Sequence, residues 1–190
     1  MSKRHLAPIV MLLLAVACGT TPGGTAATPA PPAATPTAAP SAPTGPVTCA
    51  AGFAASDVRG AGAAAGARVV TVRTGTFAEY DRFVVEFAGP VPGYEVTRQG
   101  TGFVLSPKGD PVTLAGAAGV LVRITPTVAW TSYTGPTELR PGYPTLREAR
   151  LLENFEAVQQ WGLGVSAPAC LHVSTMDSPA RLVVDVAAPR

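Results

Sequence analysis

The residue with the most evident chemistry is Cys18, a cysteine that directly follows small side chains. A short apolar run from Leu6 to Ala17 lies behind the positive charges of Lys3 and Arg4. Such a run cannot cross a bilayer core, which needs roughly 20 apolar residues, so it predicts a cleaved export signal over residues 1–17. The small residues before Cys18 let a signal peptidase approach the backbone, and the thiol can then carry a diacylglycerol.

The stretch Leu14-Ala15-Val16-Ala17-Cys18 resembles a bacterial lipoprotein signal, with Ala15 where such signals most often have leucine. The resemblance implies a chain anchored by lipid at Cys18 on the extracytoplasmic face of the cell membrane. The same alanines also fit an ordinary A-x-A cleavage site, so a secreted protein without an anchor is the alternative.

Residues 18–66 are predicted to form the lipidated cysteine and a disordered linker. From Gly19 to Pro46 the chain has no charge and no aromatic residue, and eight of its residues are proline. Such a segment buries too little apolar surface to offset its ordering entropy, and its prolines favour extended polyproline II. The expected organisation is therefore an anchor, a spacer and one folded domain over residues 67–188.

Cys49 and Cys170 form an even pair once Cys18 is acylated. Oxidising conditions outside the cytoplasm favour a disulfide between them, with two isolated thiols as the alternative. The cross-link would close a loop of about 120 residues, worth on the order of 4–5 kcal/mol in the chain-entropy model. No metal is expected, because C-x-x-C and H-x-x-x-H spacings are missing and His172 is the single histidine after the signal.

The charge balance argues against a nucleic-acid partner. Removal of Lys3 and Arg4 with the signal leaves 12 Lys and Arg, from 14, against 12 Asp and Glu. A nucleic-acid binder would show a basic excess, and a polybasic membrane patch is also missing. No glycine-rich loop leads from a strand into a helix, so neither a nucleotide nor another cofactor is expected.

Short β-branched segments at regular spacing predict an all-β fold. In residues 82–87 the side chains of Phe83, Val85 and Phe87 share one face, and residues 181–186 show the same alternation. Further strand candidates cover residues 68–73, 94–98, 103–105, 111–114, 119–124, 146–153, 161–165 and 170–173. Short strands at this spacing, without a long helix, predict a single β-sandwich domain. A single helical turn is expected over residues 155–160.

Three aromatic residues are candidates for stacking against a sugar or a peptide: Tyr133, Tyr143 and Trp161. The two tyrosines lie in a Pro-, Thr- and Gly-rich loop over residues 125–144, and long loops in compact domains are often functional. Trp161 alternates with residues expected in the core, so core packing is the alternative for its side chain.

Charged residues at the strand ends predict ion pairs. Arg82 and Asp185 both point away from the expected core, so they could pair across strands. The segment Tyr80-Asp81-Arg82 is predicted to be a strand-entry turn with a local ion pair, worth at most about 1 kcal/mol.

Several segments together resemble the AMIN-like domain family. They are Tyr80 to Phe87, Pro92 to Tyr94, Asn154 to Val158, Trp161 to Val165 and Pro179 to Val186. Members of that family are exported bacterial proteins, often tethered as lipoproteins behind a Pro/Ala/Thr linker. The resemblance implies a β-sandwich that binds cell-wall material or envelope partners.

An enzyme is not expected. Nucleophilic hydrolysis needs a Ser or Cys beside a His oriented by a carboxylate, and the G-x-S-x-G motif is missing. Glu153 and Glu156 would share one face of a helical turn, but solvated surface is the better interpretation of that spacing. We expect a non-catalytic module that contacts peptidoglycan or another wall glycan. The alternative is a protein–protein adaptor or structural lipoprotein of an envelope complex, acting through sheet-edge pairing.

Overall fold

The computed structural model describes residues 47–64, 66–127 and 133–190, and every regular element in them is a strand. The strands are β1 Val58–Gly60, β2 Arg68–Thr76, β3 Asp81–Ala88, β4 Gly93–Gln99, β5 Gly102–Leu105, β6 Asp110–Thr113, β7 Ala118–Thr125, β8 Glu138–Leu139, β9 Leu146–Phe155, β10 Val158–Val165, β11 Cys170–Asp177 and β12 Ala180–Ala187. The predicted all-β class is confirmed. The signal, Cys18 and the linker up to residue 46 lie outside the described residues.

Two antiparallel sheets form the sandwich. The larger has the order β1-β4-β7-β10-β9-β8, and the smaller has the order β11-β12-β3-β2. Their inner faces contribute to one apolar core, in which the ring centroids of Phe83 on β3 and Trp161 on β10 lie 5.6 Å apart. Phe83, Val85 and Phe87 are buried as the alternation predicts, and each fully buried side chain of this kind stabilises the fold by about 1.5–3 kcal/mol.

The β5–β6 hairpin covers part of the outer face of the six-stranded sheet. Phe103, Leu114 and Leu152 form a small second core there. Gly162 and Gly164 on β10 make this approach possible, because a Cβ atom at Gly164 would lie 2.2 Å from the carbonyl oxygen of Ala115. The two glycines opposite the apolar face of β10 are therefore explained by packing of the hairpin segment against the sheet.

Residues 47–64 correct the predicted start of the domain. The linker was expected to run to residue 66, but β1 pairs with β4, and Ala54 exchanges two backbone hydrogen bonds of 2.9 Å with Leu171 on β11. A segment rich in Ala and Gly shows no apolar period, so only its partners elsewhere in the chain fix its conformation.

The predicted disulfide is confirmed. Cys49 and Cys170 are bonded across a sequence separation of 121 residues, with their Cα atoms 5.6 Å apart. Next to the cross-link, the backbone amide of Arg190 donates a hydrogen bond of 2.9 Å to the carbonyl of Thr48. The first described residues and the carboxyl end of the chain therefore lie side by side.

The helical turn predicted over residues 155–160 is wrong. Strand β9 runs to Phe155 and β10 begins at Val158, so the segment is a tight hairpin. Glu156 and Ala157 have φ angles of 49° and 62°, as a two-residue turn with both central residues in the left-handed region requires. Such turns usually carry Asn-Gly, and neither Glu nor Ala signals one. Glu153 and Glu156 consequently do not share a helix face.

Candidate functional site

Trp161 and Tyr133 are not surface residues, which corrects their assignment as stacking platforms. The Trp161 side chain is fully buried, and Tyr133 is 9% exposed, with the centroids of the two rings 5.9 Å apart in an edge-to-face arrangement. The indole donates a hydrogen bond of 3.0 Å to Gln159, and the Tyr133 hydroxyl donates one of 2.8 Å to the carbonyl of Pro136. Burial also raises the pKa of Tyr133. Strand β10 turns Trp161 towards the opposite sheet, and Tyr133 packs against Trp161. Both rings therefore belong to the core.

Tyr143 is half-buried and packs against the edge of the same core. Its backbone amide donates a hydrogen bond of 3.0 Å to the carbonyl of Leu146 at the start of β9. The three predicted aromatic residues therefore do not form one exposed platform. A role for Tyr143 in ligand binding stays a prediction.

An exposed cluster of rings lies instead at one end of the four-stranded sheet, and we call it the aromatic patch: Phe53, Phe77, Tyr80 and His172. Phe77 and Tyr80 bracket the loop between β2 and β3, which closes with a hydrogen bond of 2.9 Å from the Phe77 amide to the Tyr80 carbonyl. This loop holds their rings stacked, with centroids 4.8 Å apart and an interplanar angle of 21°. Phe77 is 48% exposed, so about half of its surface is open to solvent.

Phe53 extends the aromatic patch from a segment that the sequence assigned to the linker. Its centroid lies 5.9 Å from Tyr80 and 5.9 Å from His172. His172 lies 2.9 Å through Nδ1 from the carbonyl oxygen of Gly52, which ties this segment to β11. The signal that could have found Phe53 is a single aromatic residue, four positions after Cys49, in an otherwise small-residue stretch.

Arg82 links the aromatic patch to the outer face of the four-stranded sheet. Its guanidinium carbon lies 5.0 Å from the Phe77 centroid and 5.4 Å from the Tyr80 centroid, within range of cation–π attraction. The same group donates hydrogen bonds of 2.6 and 2.9 Å to the two carboxylate oxygens of Asp185. This contact confirms the predicted cross-strand pair and raises the pKa of Arg82.

The local ion pair predicted between Asp81 and Arg82 is not formed. Asp81 points inward, is 1% exposed, and accepts hydrogen bonds of 2.6 and 2.8 Å from the backbone amides of Thr145 and Leu146. It also accepts a hydrogen bond of 2.6 Å from the hydroxyl of Thr76. Successive residues of a strand point to opposite faces, so Asp81 and Arg82 cannot share a side of the sheet.

A shallow depression of about 250 Å³ lies beside Phe77 on the outer face of the four-stranded sheet. We call it the arginine depression, and its lining includes the side chains of Arg73, Arg82, Arg181, Val84, Val183 and Met176. Just beyond this lining, Glu86 accepts hydrogen bonds from Arg181 at 2.9 Å and Arg73 at 3.2 Å. The bond from Arg181 is the main cause of a lowered pKa at Glu86, so this carboxylate stays ionised at neutral pH.

The arrangement suits non-covalent binding. His172 contacts the carbonyl of Gly52 through Nδ1, and Glu153 accepts a hydrogen bond from Gln160. Within residues 47–64, 66–127 and 133–190, no group of three His, Cys, Asp or Glu side chains could hold a metal ion. In the same ranges, no helix has the length and hydropathy needed to span a bilayer.

Residues 67–188 match the AMIN-like domain family, and the chain belongs to that family. The match covers β2 to β12 and begins after β1 and the segment that carries Phe53. Membership points to a peptidoglycan-related binding domain of a generally non-catalytic kind. Searches of curated proteins and of solved structures found no match.

Proposed function

We propose that this protein is a non-catalytic, membrane-tethered module that binds cell-wall glycan through the aromatic patch. The observation that carries the proposal is the exposed stack of Phe77 on Tyr80 with Arg82 against both rings. Aromatic faces pack against the apolar face of a sugar ring, while neighbouring charged groups satisfy its hydroxyls. Membership in the AMIN-like family supports the same class of ligand.

Co-sedimentation of the purified protein with insoluble cell wall tests this proposal. Phe77→Ala removes half of the stack, and we expect wall affinity to fall about tenfold, which corresponds to about 1.4 kcal/mol. The matched control is Phe155→Ala, because Phe155 is 43% exposed and lies outside the aromatic patch. Equal sedimentation of the Phe77→Ala variant and the unchanged chain would exclude the patch as the glycan contact.

The anchor is proposed to be a diacylglycerol on Cys18, with residues 19–46 as the spacer. The support is the small-residue segment before Cys18 and the proline-rich, uncharged composition after it. We expect the protein in the membrane fraction, on the extracytoplasmic face, with the mass of acyl chains added at Cys18. Cys18→Ser should remove both the added mass and the membrane retention. A water-soluble native product that starts at unmodified Cys18 would instead mean plain secretion.

A protein–protein adaptor is the second candidate function, because an apolar groove of about 560 Å³ lies between the β5–β6 hairpin and β9. Leu105, Pro107 and Leu151 contribute to its lining, and Phe155 is exposed at its end. Crosslinking in cells separates the two functions. An adaptor would give a defined protein partner that Phe155→Ala loses, with no retention on wall.

A further inference from the structure

Two arginines of the arginine depression share a single carboxylate oxygen. Arg73 donates through Nη1 and Arg181 through Nε, and both reach Oε2 of Glu86. Arg82 is different, since Asp185 engages it at two nitrogens. Around Glu86 there are thus two guanidinium groups for one carboxylate, which leaves one positive charge without a matching carboxylate in the described ion pairs.

The remaining guanidinium nitrogens are accessible. The side chains of Arg73 and Arg181 are 45% and 24% exposed, and among the described residues the other nitrogens of both groups donate no side-chain hydrogen bond. A guanidinium presents its N–H groups in a fixed fork that matches the two oxygens of a carboxylate. A ligand carboxylate would therefore complete a set of two arginines and two carboxylates.

The lining of the depression indicates what carries that carboxylate. Val84 and Val183 are 6% and 3% exposed and form an apolar floor, and Met176 is 46% exposed at one side. Such a floor offers no partner to the hydroxyl groups of a sugar, whereas a methyl side chain packs on it favourably. A volume of about 250 Å³ suits a short peptide end with small side chains.

We propose that the arginine depression binds the free carboxylate of a short peptide with small apolar side chains. This inference rests on the proposed function, because a peptide of that kind would be an uncrosslinked end of the wall polymer. Phe77 borders the depression and also belongs to the aromatic patch. A sugar stacked on Phe77 and a peptide end held by Arg73 and Arg181 could therefore belong to one polymer strand.

The test is a titration of the ¹⁵N-labelled full chain, followed through the arginine Nε–H signals. The probes are N-acetyl-D-alanyl-D-alanine, its carboxamide and inorganic phosphate. We expect the acid to shift the signals of Arg73 and Arg181 and to bind about tenfold more tightly than the carboxamide, because a charge-assisted, two-pronged contact is lost in the amide. Phosphate should shift them more weakly, since it has no group to pack on Val84 and Val183.

Two variants distinguish binding in the arginine depression from an effect of the protein's overall charge. Arg73→Gln should weaken binding of the acid about tenfold. Arg123→Gln, which removes a half-buried arginine from the other sheet, should leave it unchanged. Unchanged thermal midpoints would show that both variants are folded.

Equal shifts with acid and carboxamide would overturn the inference, as would phosphate binding as tightly as the acid or no shift with any probe. These results leave the sedimentation of the chain with wall, and hence the proposed function, untouched. Binding of the acid by a chain that does not sediment with wall would support the depression and count against the glycan contact.

Discussion

Removal of the disulfide by a Cys49→Ala/Cys170→Ala double substitution should lower the free energy of unfolding by on the order of 4 kcal/mol. The cross-link spans 121 residues, so its loss restores a large conformational freedom to the unfolded chain. For a domain of this size the thermal midpoint should fall by about 10 °C. Denaturant unfolding measures the change directly, and the slope of that transition should rise, because the unfolded chain without its cross-link exposes more surface.

The reduced unchanged chain is the control for this prediction. It keeps both sulfur atoms and lacks only the covalent bond, so it should unfold at the same denaturant concentration as the double alanine variant. If the oxidised and reduced chains were equally stable, the cross-link would contribute nothing and the chain-entropy argument would be wrong here. If only the double variant had a lower free energy of unfolding, the lost stability would come from packing around the fully buried Cys170.

Asp81→Ala should lower the free energy of unfolding by a similar amount, about 3–5 kcal/mol. The Asp81 carboxylate bridges the two sheets, since it lies on β3 and accepts hydrogen bonds from the backbone amides of Thr145 and Leu146 at the start of β9. Alanine would leave these two buried donors without a partner, and an unsatisfied buried donor costs about 1–3 kcal/mol. Equilibrium unfolding of the purified variant measures the loss.

Asp81→Asn is the matched variant, because it keeps the size and shape of the side chain. Its amide oxygen can still accept from Thr145 and Leu146, and its NH₂ group can donate to the hydroxyl of Thr76. We expect a loss of about 1 kcal/mol, well below that of Asp81→Ala. Equal losses for Asn and Ala would mean that charge, and not the hydrogen bonds to the 145–146 backbone, holds this end of the sandwich.

Most of what could be predicted about the fold comes from the alternation of apolar and polar side chains within strands. Phe83, Val85 and Phe87 repeat with a period of two, which fixes the buried face of β3 without knowledge of any partner. The same parity placed Arg82 and Asp185 on the outside, where they pair. The cysteine count and the predicted export were enough to predict the disulfide, because only one pairing remains once Cys18 is set aside.

The parts of the fold that could not be predicted depend on contacts between residues that are distant in sequence. The segment before β1 is ordered by bonds to Leu171, which lies more than a hundred positions away, and nothing local to it signals that pairing. Phe53 therefore has no local signature of a site residue. The pattern leaves Trp161 ambiguous and the exposure predicted for Tyr133 is wrong for a related reason, since an aromatic ring in a strand or loop has the same local pattern whether the opposite sheet covers it or not.

The cross-link also decides how the molecule responds to tension. When the chain is pulled from both ends, the force passes from Cys49 to Cys170 through the sulfur atoms and then along β11 and β12. Strands β1 to β10 lie inside the closed loop, so tension on the two ends does not pass along their backbone. The Phe77–Tyr80 stack lies within this loop, so tension reaches it only through the pairing of β3 with β12 and not along its own backbone.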